Sequence, residues 1–182
     1  MKYFFFLFFS LLLAASCTSE DDLTPRPDET PLEALNRLVP ITQTGAGTFG
    51  CLVNGELWIP EVDGASDVAA DALLSSNDLL QILVRKEPLS DVRNQSFSLI
   101  SRIEINSETS VAASSTFRDR NVAGECRSIS NDTTMISFIS VENLDRTSYI
   151  VSGRFKCTYQ EPDCPDTKIE ITEGRFDLRY RF

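Results

Sequence analysis

Period-two alternation of apolar and polar residues is the feature that most constrains the fold of this chain. Between residues 97 and 105, one face of an extended chain holds Phe97, Leu99, Ile103 and Ile105, and the opposite face holds Ser98, Arg102 and Glu104. Side chains of a strand point alternately to its two faces, so this pattern predicts a half-buried strand of an antiparallel sheet.

Similar segments recur along the chain, separated by turn residues such as Asn54-Gly55, which is a strong hairpin signal. The further predicted strands span residues 49–53, 56–59, 79–86, 111–117, 126–129, 135–141, 149–159, 168–172 and 175–182. The only competing helix in this region is residues 66–74 (SDVAADALL). We therefore predict an all-β domain, an antiparallel β-sandwich or barrel-like meander of about 8–10 strands, with at most one short helix.

The alternation slips by one residue near Gly174. Ile169 and Ile171 are odd-numbered, whereas Phe176 and the apolar residues after it are even-numbered. A slip of this kind turns the apolar face to solvent unless the strand bulges, and glycine can adopt the backbone angles that a bulge requires. Four charged residues then share the opposite face of this strand: Arg175, Asp177, Arg179 and Arg181. This face is either solvated or paired with charges on neighbouring strands, and the alternative is a cationic ledge for an anionic ligand.

The N-terminus has the pattern of a bacterial lipoprotein signal. An apolar run from Phe4 to Ala15 follows Lys2 and is shorter than the roughly 20 residues of a spanning helix. The small residues that end it lead to Cys17, and this arrangement resembles a lipobox. We therefore expect residues 1–16 to be the signal peptide and lipid on Cys17 to hold the protein to a membrane.

The composition of residues 17–47, rich in Asp, Glu, Thr, Pro and Gly, predicts a flexible acidic tether with at most one short helix. Residues 48–182 are then a single β-domain. Loss of Lys2 with the signal leaves 16 basic and 27 acidic residues, a formal charge of 16 − 27 = −11. A surface of this charge disfavours nucleic acid as a partner.

Histidine is absent from the chain, which excludes Ser-His-Asp and Cys-His triads and histidine-ligated metals. Neither a cofactor nor a metal is predicted, and no catalytic residue can be assigned. A carboxylate pair of the glycosidase type could still be catalytic, but an acidic chain offers such pairs by chance. Trp58, the only tryptophan, is expected in the core, with a sugar-stacking platform as the alternative reading.

Four cysteines remain when Cys17 is set aside, and an even number in an exported chain suggests disulfides. Four cysteines allow three pairings, and the preferred one joins Cys157 to Cys164 across a short loop and Cys51 to Cys126. Zinc is a weak alternative, because the CxxC spacing of zinc sites is missing.

Three segments together resemble an uncharacterised family of Bacteroidota lipoproteins built on a domain of unknown function. They are TQTGAGTFGCLVNGELWIP (42–60), IVSGRFKC (150–157) and ITEGRFDLRY (171–180). The resemblance implies a secreted all-β lipoprotein, and it supplies no activity, substrate or catalytic residue. We expect the lipid anchor to lie in the outer membrane.

Two shorter patterns resemble signals of the same bacteria. The acids Glu20, Asp21 and Asp22 behind Cys17 resemble the export signal of surface-displayed lipoproteins, which favours the cell surface over a periplasm-facing location. Asp132-Thr133-Thr134 resembles an O-glycosylation sequon with Thr133 as the acceptor, and a turn on Asn131-Asp132 is the plain alternative.

Two functional hypotheses follow. The first is a binding or structural module for a small molecule, a glycan or a protein ligand, with a lipocalin-like carrier as one form if the sheet encloses a cavity. The second is a carboxylate-based hydrolase of an envelope or environmental glycan, which needs two carboxyls in one cleft with at least one raised pKa.

Overall fold

The alternating segments form the strands of one curled sheet. The structure, a computed structural model, describes residues 30–62, 69–87, 95–103, 111–112, 114–119, 128–130, 137–161 and 164–182. Within these residues lie one helix and twelve strands: α1 (Pro31–Arg37), β1 (Thr48–Val53), β2 (Glu56–Trp58), β3 (Glu61–Val62), β4 (Ala70–Leu74), β5 (Leu79–Glu87), β6 (Gln95–Arg102), β7 (Val111–Ala112), β8 (Ser114–Asp119), β9 (Ser128–Ser130), β10 (Ser137–Asp145), β11 (Ile150–Glu161) and β12 (Cys164–Arg181).

The prediction of an all-β fold with at most one short helix is confirmed, but the sheet is mixed and not purely antiparallel. Its strand order is β7-β10-β11-β12-β4-β5-β6-β8-β9, with β1 pairing β12 and β2, and β3 pairing β5. Two of these pairs, β12 with β4 and β3 with β5, are parallel. The long strand β12 causes the first of them, because its last residues extend past β1 and meet β4, which runs in the same direction.

Segments β7 and β8 bring the two halves of the sheet together. β7 pairs with β10, and β8, which begins only two residues after β7 ends, pairs with β6. The strand path therefore curls back on itself and encloses one continuous core. Its largest fully buried side chains include Tyr159, Phe49, Phe97, Leu74, Leu80, Ile82 and Leu99.

The helix α1 belongs to the folded unit. Thr30 and Glu33 form a reciprocal capping box at its start, with Pro31 in the first turn. Ala34 and Leu38 are buried in a second small cluster, on Leu52 and Leu57 of the β1–β2 hairpin. The folded unit thus includes residues from Thr30 onward, although the composition of residues 17–47 predicted a tether.

The β1–β2 hairpin has the predicted turn. Asn54 has φ of 52° and Gly55 of 86°, the left-handed angles that an Asn-Gly hairpin turn requires. The Asn54 side chain accepts a hydrogen bond from the Glu170 N–H at 2.7 Å, and its own N–H donates to the Glu170 carbonyl at 2.8 Å. The turn is therefore anchored to β12 as well as closing its own hairpin.

The predicted bulge lies in β12, one residue earlier than expected. Relative to both of its partners, β12 has one extra residue there: Gly50 pairs with Arg175 but Leu52 with Thr172, and the pairing with β11 shows the same shift. Glu173 takes the left-handed angle, with φ of 54°. Gly174 is needed for a different reason, since a Cβ there would lie 2.6 Å from the Phe155 carbonyl oxygen.

The competing helix over residues 66–74 is not formed in its described part, because Ala70–Leu74 is strand β4. Ala72 and Leu74 are buried in the core and Leu73 is exposed, so the alternation of this segment satisfies a sheet. Residues 63–68 lie outside the described part of the chain.

The preferred disulfide framework also differs from the structure, in which Cys51 and Cys157 are buried thiols. Cys157 lies opposite Ile171, whereas Cys164 lies opposite Glu161, four residues (157 to 161) further along β11. Four extended residues span about 13 Å, which is beyond the reach of a disulfide. Cys126, the predicted partner of Cys51, lies outside the described residues.

Candidate functional site

Two sequence motifs that lie about 130 residues apart meet at the carboxylate of Asp177. Residues 39–47, here called the strap, connect α1 to β1 and cross the outer face of β12. Oδ2 of Asp177 accepts hydrogen bonds from the Thr42 hydroxyl (2.6 Å), from the N–H and hydroxyl of Thr44 (2.9 and 3.3 Å) and from the Ala46 N–H (3.3 Å). Oδ1 accepts the Gly45 N–H at 2.7 Å.

Asp177 is consequently a structural anchor. It is buried, with 1% of its surface exposed. Burial alone would raise its pKa, but the hydrogen bonds from Thr42, Thr44, Gly45 and Ala46 outweigh burial and hold the pKa below its usual value. Its charge is therefore used within the fold to hold the strap.

The other charged residues predicted to share this face of β12 have separate partners. Arg179 donates to the Ser148 carbonyl at 3.4 Å, and Arg181 pairs with Asp71 of β4. Arg175 is largely buried, donates to the Val39 carbonyl of the strap at 3.2 Å, and lies beside a groove. The predicted ledge along β12 is therefore not continuous, and of its four residues Arg175 lines the groove.

This groove, here called the cationic groove, crosses the outer face of β10, β11 and β12. It has a volume of about 250 Å³. Its lining consists of Phe138, Ser140, Arg154, Phe155, Lys156, Glu173, Gly174 and Arg175. Three of these side chains are cations and one is a carboxylate, in a chain whose formal charge is −10.

Strand register explains how the cations converge. Phe138 and Ser140 lie opposite Lys156 and Arg154, and Arg154 lies opposite Arg175 on the other side of β11. Their neighbours Ile139 and Phe155 are buried in the core. Since successive side chains of a strand alternate between faces, the even-numbered cations of β11 must point outward.

Glutamates at two edges of the groove balance part of this positive charge. Arg154 forms an ion pair with Glu142 at 2.7 Å, and Arg175 lies 3.8 Å from Glu173. The ammonium of Lys156 lies over the Phe138 ring, 5.0 Å from its centroid, which is a cation–π contact.

Trp58 is a core residue, as predicted. It is buried, its Nε1–H donates to the Gln95 side chain at 2.7 Å, and its ring meets Phe49 edge-on. A sugar-stacking role would require an exposed ring face, so the alternative reading of Trp58 is wrong.

The buried ionisable groups of the core are poorly suited to chemistry. Burial, followed by the nearby Cys157 thiol, raises the pKa of Cys51. Burial raises the pKa of Tyr159 as well. Both groups are therefore held in their neutral forms. Within the residues that the structure describes, no three His, Cys, Asp or Glu side chains come together as potential metal ligands.

The predicted lipidation site Cys17, the predicted export signal Glu20, Asp21 and Asp22, and the predicted O-glycosylation site Thr133 all lie outside the described part of the chain. Sequence reasoning missed Phe138, Arg154 and Lys156. The alternation of residues 150–157 places both cations on an outward face, but their approach to Arg175 follows only from the register of β11 with β12.

Comparison with protein-family models, with curated proteins and with solved structures finds no match for this chain. The resemblance to Bacteroidota lipoproteins therefore stays a prediction. Among the helices of the described residues, none is long and apolar enough to cross a membrane.

Proposed function

We propose that the protein is an outer-membrane lipoprotein that acts as a binding module, and that its ligand occupies the cationic groove. The observation that carries this proposal is the convergence of Arg154, Lys156 and Arg175 in one concave site of an acidic protein. Glu142 pairs with Arg154 and Glu173 lies beside Arg175, but the three cations still outnumber the carboxylates that line the groove. Concave sites with a few convergent polar groups are the usual location of ligands.

The carboxylate-based hydrolase finds less support. The groove lining contains one carboxylate, Glu173, whereas glycoside hydrolysis uses two carboxyls about 5–10 Å apart. A general acid also needs a raised pKa. Hydrogen bonds to the turn residues Ser148 and Thr147 lower the pKa of Asp145, and the strap does the same for Asp177.

Ligand binding in the groove can be tested by NMR with the purified protein and a panel of neutral and charged small molecules and oligosaccharides. We expect at least one compound to shift the amide signals of groove residues on β10 and β11. Ser140→Trp should abolish those shifts, because the indole would fill the groove without altering its charges.

Ser98→Trp is the matched control, since Ser98 is a partly exposed serine of β6 outside the groove. It should leave binding unchanged. If no compound shifts groove signals, or if Ser140→Trp binds as well as the wild type, the groove is not the ligand site.

The proposed location has its own tests. Cys17→Ala should release the protein from the membrane fraction. Protease treatment of intact cells should detach the folded unit by cutting before Thr30, since the helix and strap after it are packed on the sheet. Alanine at Glu20, Asp21 and Asp22 should leave the protein protected on intact cells while lipidation persists. Resistance of the wild-type protein until the outer membrane is permeabilised would place it on the periplasmic side.

A further inference from the structure

We propose that Arg154 and Arg175 form a clamp for a single oxyanion, a carboxylate, sulfate or phosphate group on a small ligand. This inference rests on the proposed function, because it names the chemical class of the ligand that the cationic groove binds. It goes further than the proposed function in one respect: the charge of the ligand, and not its shape, determines whether it binds.

The first observation is the direct opposition of two like charges. Arg154 of β11 and Arg175 of β12 are register partners, and both line the groove. Like charges directly opposite each other on neighbouring strands destabilise a sheet. A ligand oxyanion between the two guanidinium groups would relieve that repulsion and accept hydrogen bonds from both, the geometry for which arginine is suited.

The second observation is that carboxylates already occupy both ends of this arrangement. Glu142 contacts Arg154 at 2.7 Å, and Glu173 lies 3.8 Å from Arg175. The longer distance leaves the Arg175 guanidinium with room for a closer anion. Glu173 stands on the bulge of β12 with a left-handed φ of 54°, a conformation that costs free energy for a residue other than glycine.

The third observation is the difference in freedom between the two arginines. The side chain of Arg175 is 19% exposed and donates to the Val39 carbonyl, so the strap holds it in place. The side chain of Arg154 is 57% exposed. Arg175 is thus a pre-organised half of the clamp, and Arg154 can exchange its glutamate partner for a ligand group.

Size and charge limit the ligand. A volume of about 250 Å³ suits one small unit, and the Phe138 ring with Lys156 over it forms one wall. The formal charge of −10 repels extended polyanions at a distance. A singly acidic unit, such as an acidic monosaccharide, therefore fits the groove better than a nucleic acid or a heavily charged polymer.

The test is an NMR titration of the purified protein with galacturonate, galactose 6-sulfate, galactose 6-phosphate and neutral galactose. We expect one or more of the acidic sugars to shift groove signals and galactose to have no effect up to 50 mM. The strongest of the three identifies the preferred oxyanion. Binding should weaken as NaCl rises from 50 to 300 mM, because exposed charges are screened.

Arg154→Gln should weaken binding of the acidic sugar at least about tenfold, the effect of losing a hydrogen bond to a charged group. Arg154→Lys, which keeps the charge and loses the planar fork, should fall between Gln and wild type. Arg118→Gln, an exposed arginine on β8 outside the groove, is the matched control and should change nothing. Arg175 is left intact because it also holds the strap.

The two proposals fail separately. Equal binding of galactose and its acidic derivatives, abolished by Ser140→Trp but not by Arg154→Gln, would overturn the oxyanion clamp and leave the groove as a ligand site. Absence of any shift with all three acidic sugars would also overturn the clamp. Whether the groove binds any ligand is then decided by the wider panel of neutral and charged compounds.

Discussion

Replacement of Asp177 by Asn should destabilise the protein by about 2–4 kcal/mol. The carboxylate accepts three backbone N–H groups and two hydroxyls, and asparagine has one oxygen for all of them. With that oxygen in the Oδ2 position, the Gly45 N–H faces an NH₂ group and loses its acceptor. A buried donor left unsatisfied costs about 1–3 kcal/mol, and loss of charge from the remaining bonds adds about 1 kcal/mol.

The destabilisation should depend on pH in a defined direction. The folded-state pKa of Asp177 is lowered, so the unfolded chain binds this proton first and the carboxylate contributes stability above the unfolded value, about 3.9. That contribution is lost as the pH falls through the folded pKa. The difference between wild type and Asp177→Asn should therefore be constant between pH 5 and 7 and shrink below about pH 4, by at most about 1.4 kcal/mol per unit.

Urea unfolding monitored by the fluorescence of Trp58 provides the assay, because this is the only tryptophan and it is buried. Asp71→Asn is the matched control: it removes an ion pair with Arg181 at the surface and should cost less than about 1 kcal/mol. A cost below 1 kcal/mol for Asp177→Asn, or a cost that is the same at pH 6 and pH 3, would refute the anchoring role.

Three further predictions concern packing, thiol protection and helix capping. Gly153→Ala should prevent folding or destabilise severely, because its Cβ would lie 2.1 Å from the Ser140 carbonyl oxygen; normal expression with an unchanged melting temperature would contradict this contact. Iodoacetamide at pH 8 should not modify Cys51 or Cys157 in the native protein and should modify both in urea, which mass spectrometry would show. Thr30→Ala should remove the capping box and cost about 1 kcal/mol in urea unfolding, and an unchanged midpoint would mean that the capping box does not stabilise the fold.

Local patterns of the sequence were sufficient for some structural elements. The alternation of residues 97–103 appears as β6, with Phe97 and Leu99 in the core. Asn54-Gly55 forms the predicted hairpin turn, and the slip near Gly174 is a bulge. Each of these depends on neighbours along the chain, since side-chain direction and turn angles are properties of a few consecutive residues.

Other elements were decided by partners far away in the sequence. Residues 70–74 have alanines and a leucine pair that suit a helix, but β5 and the end of β12 offer hydrogen bonds on both sides, and a strand results. The length of the β11–β12 hairpin separates Cys157 from Cys164, although their spacing in the sequence suggested a bridge. In both cases tertiary contacts outweigh a local preference.

The order of residues was enough to predict the all-β class, the alternating segments and the charged face of β12 that carries Arg175 and Asp177. The roles of those charges follow from contacts with distant parts of the chain. The strap crosses one of them and turns Asp177 into a buried anchor, while β11 places Arg154 opposite Arg175 and creates the cationic groove. The reason is physical: alternation is set within one strand, whereas the role of a charge depends on which group the register of a distant strand places beside it.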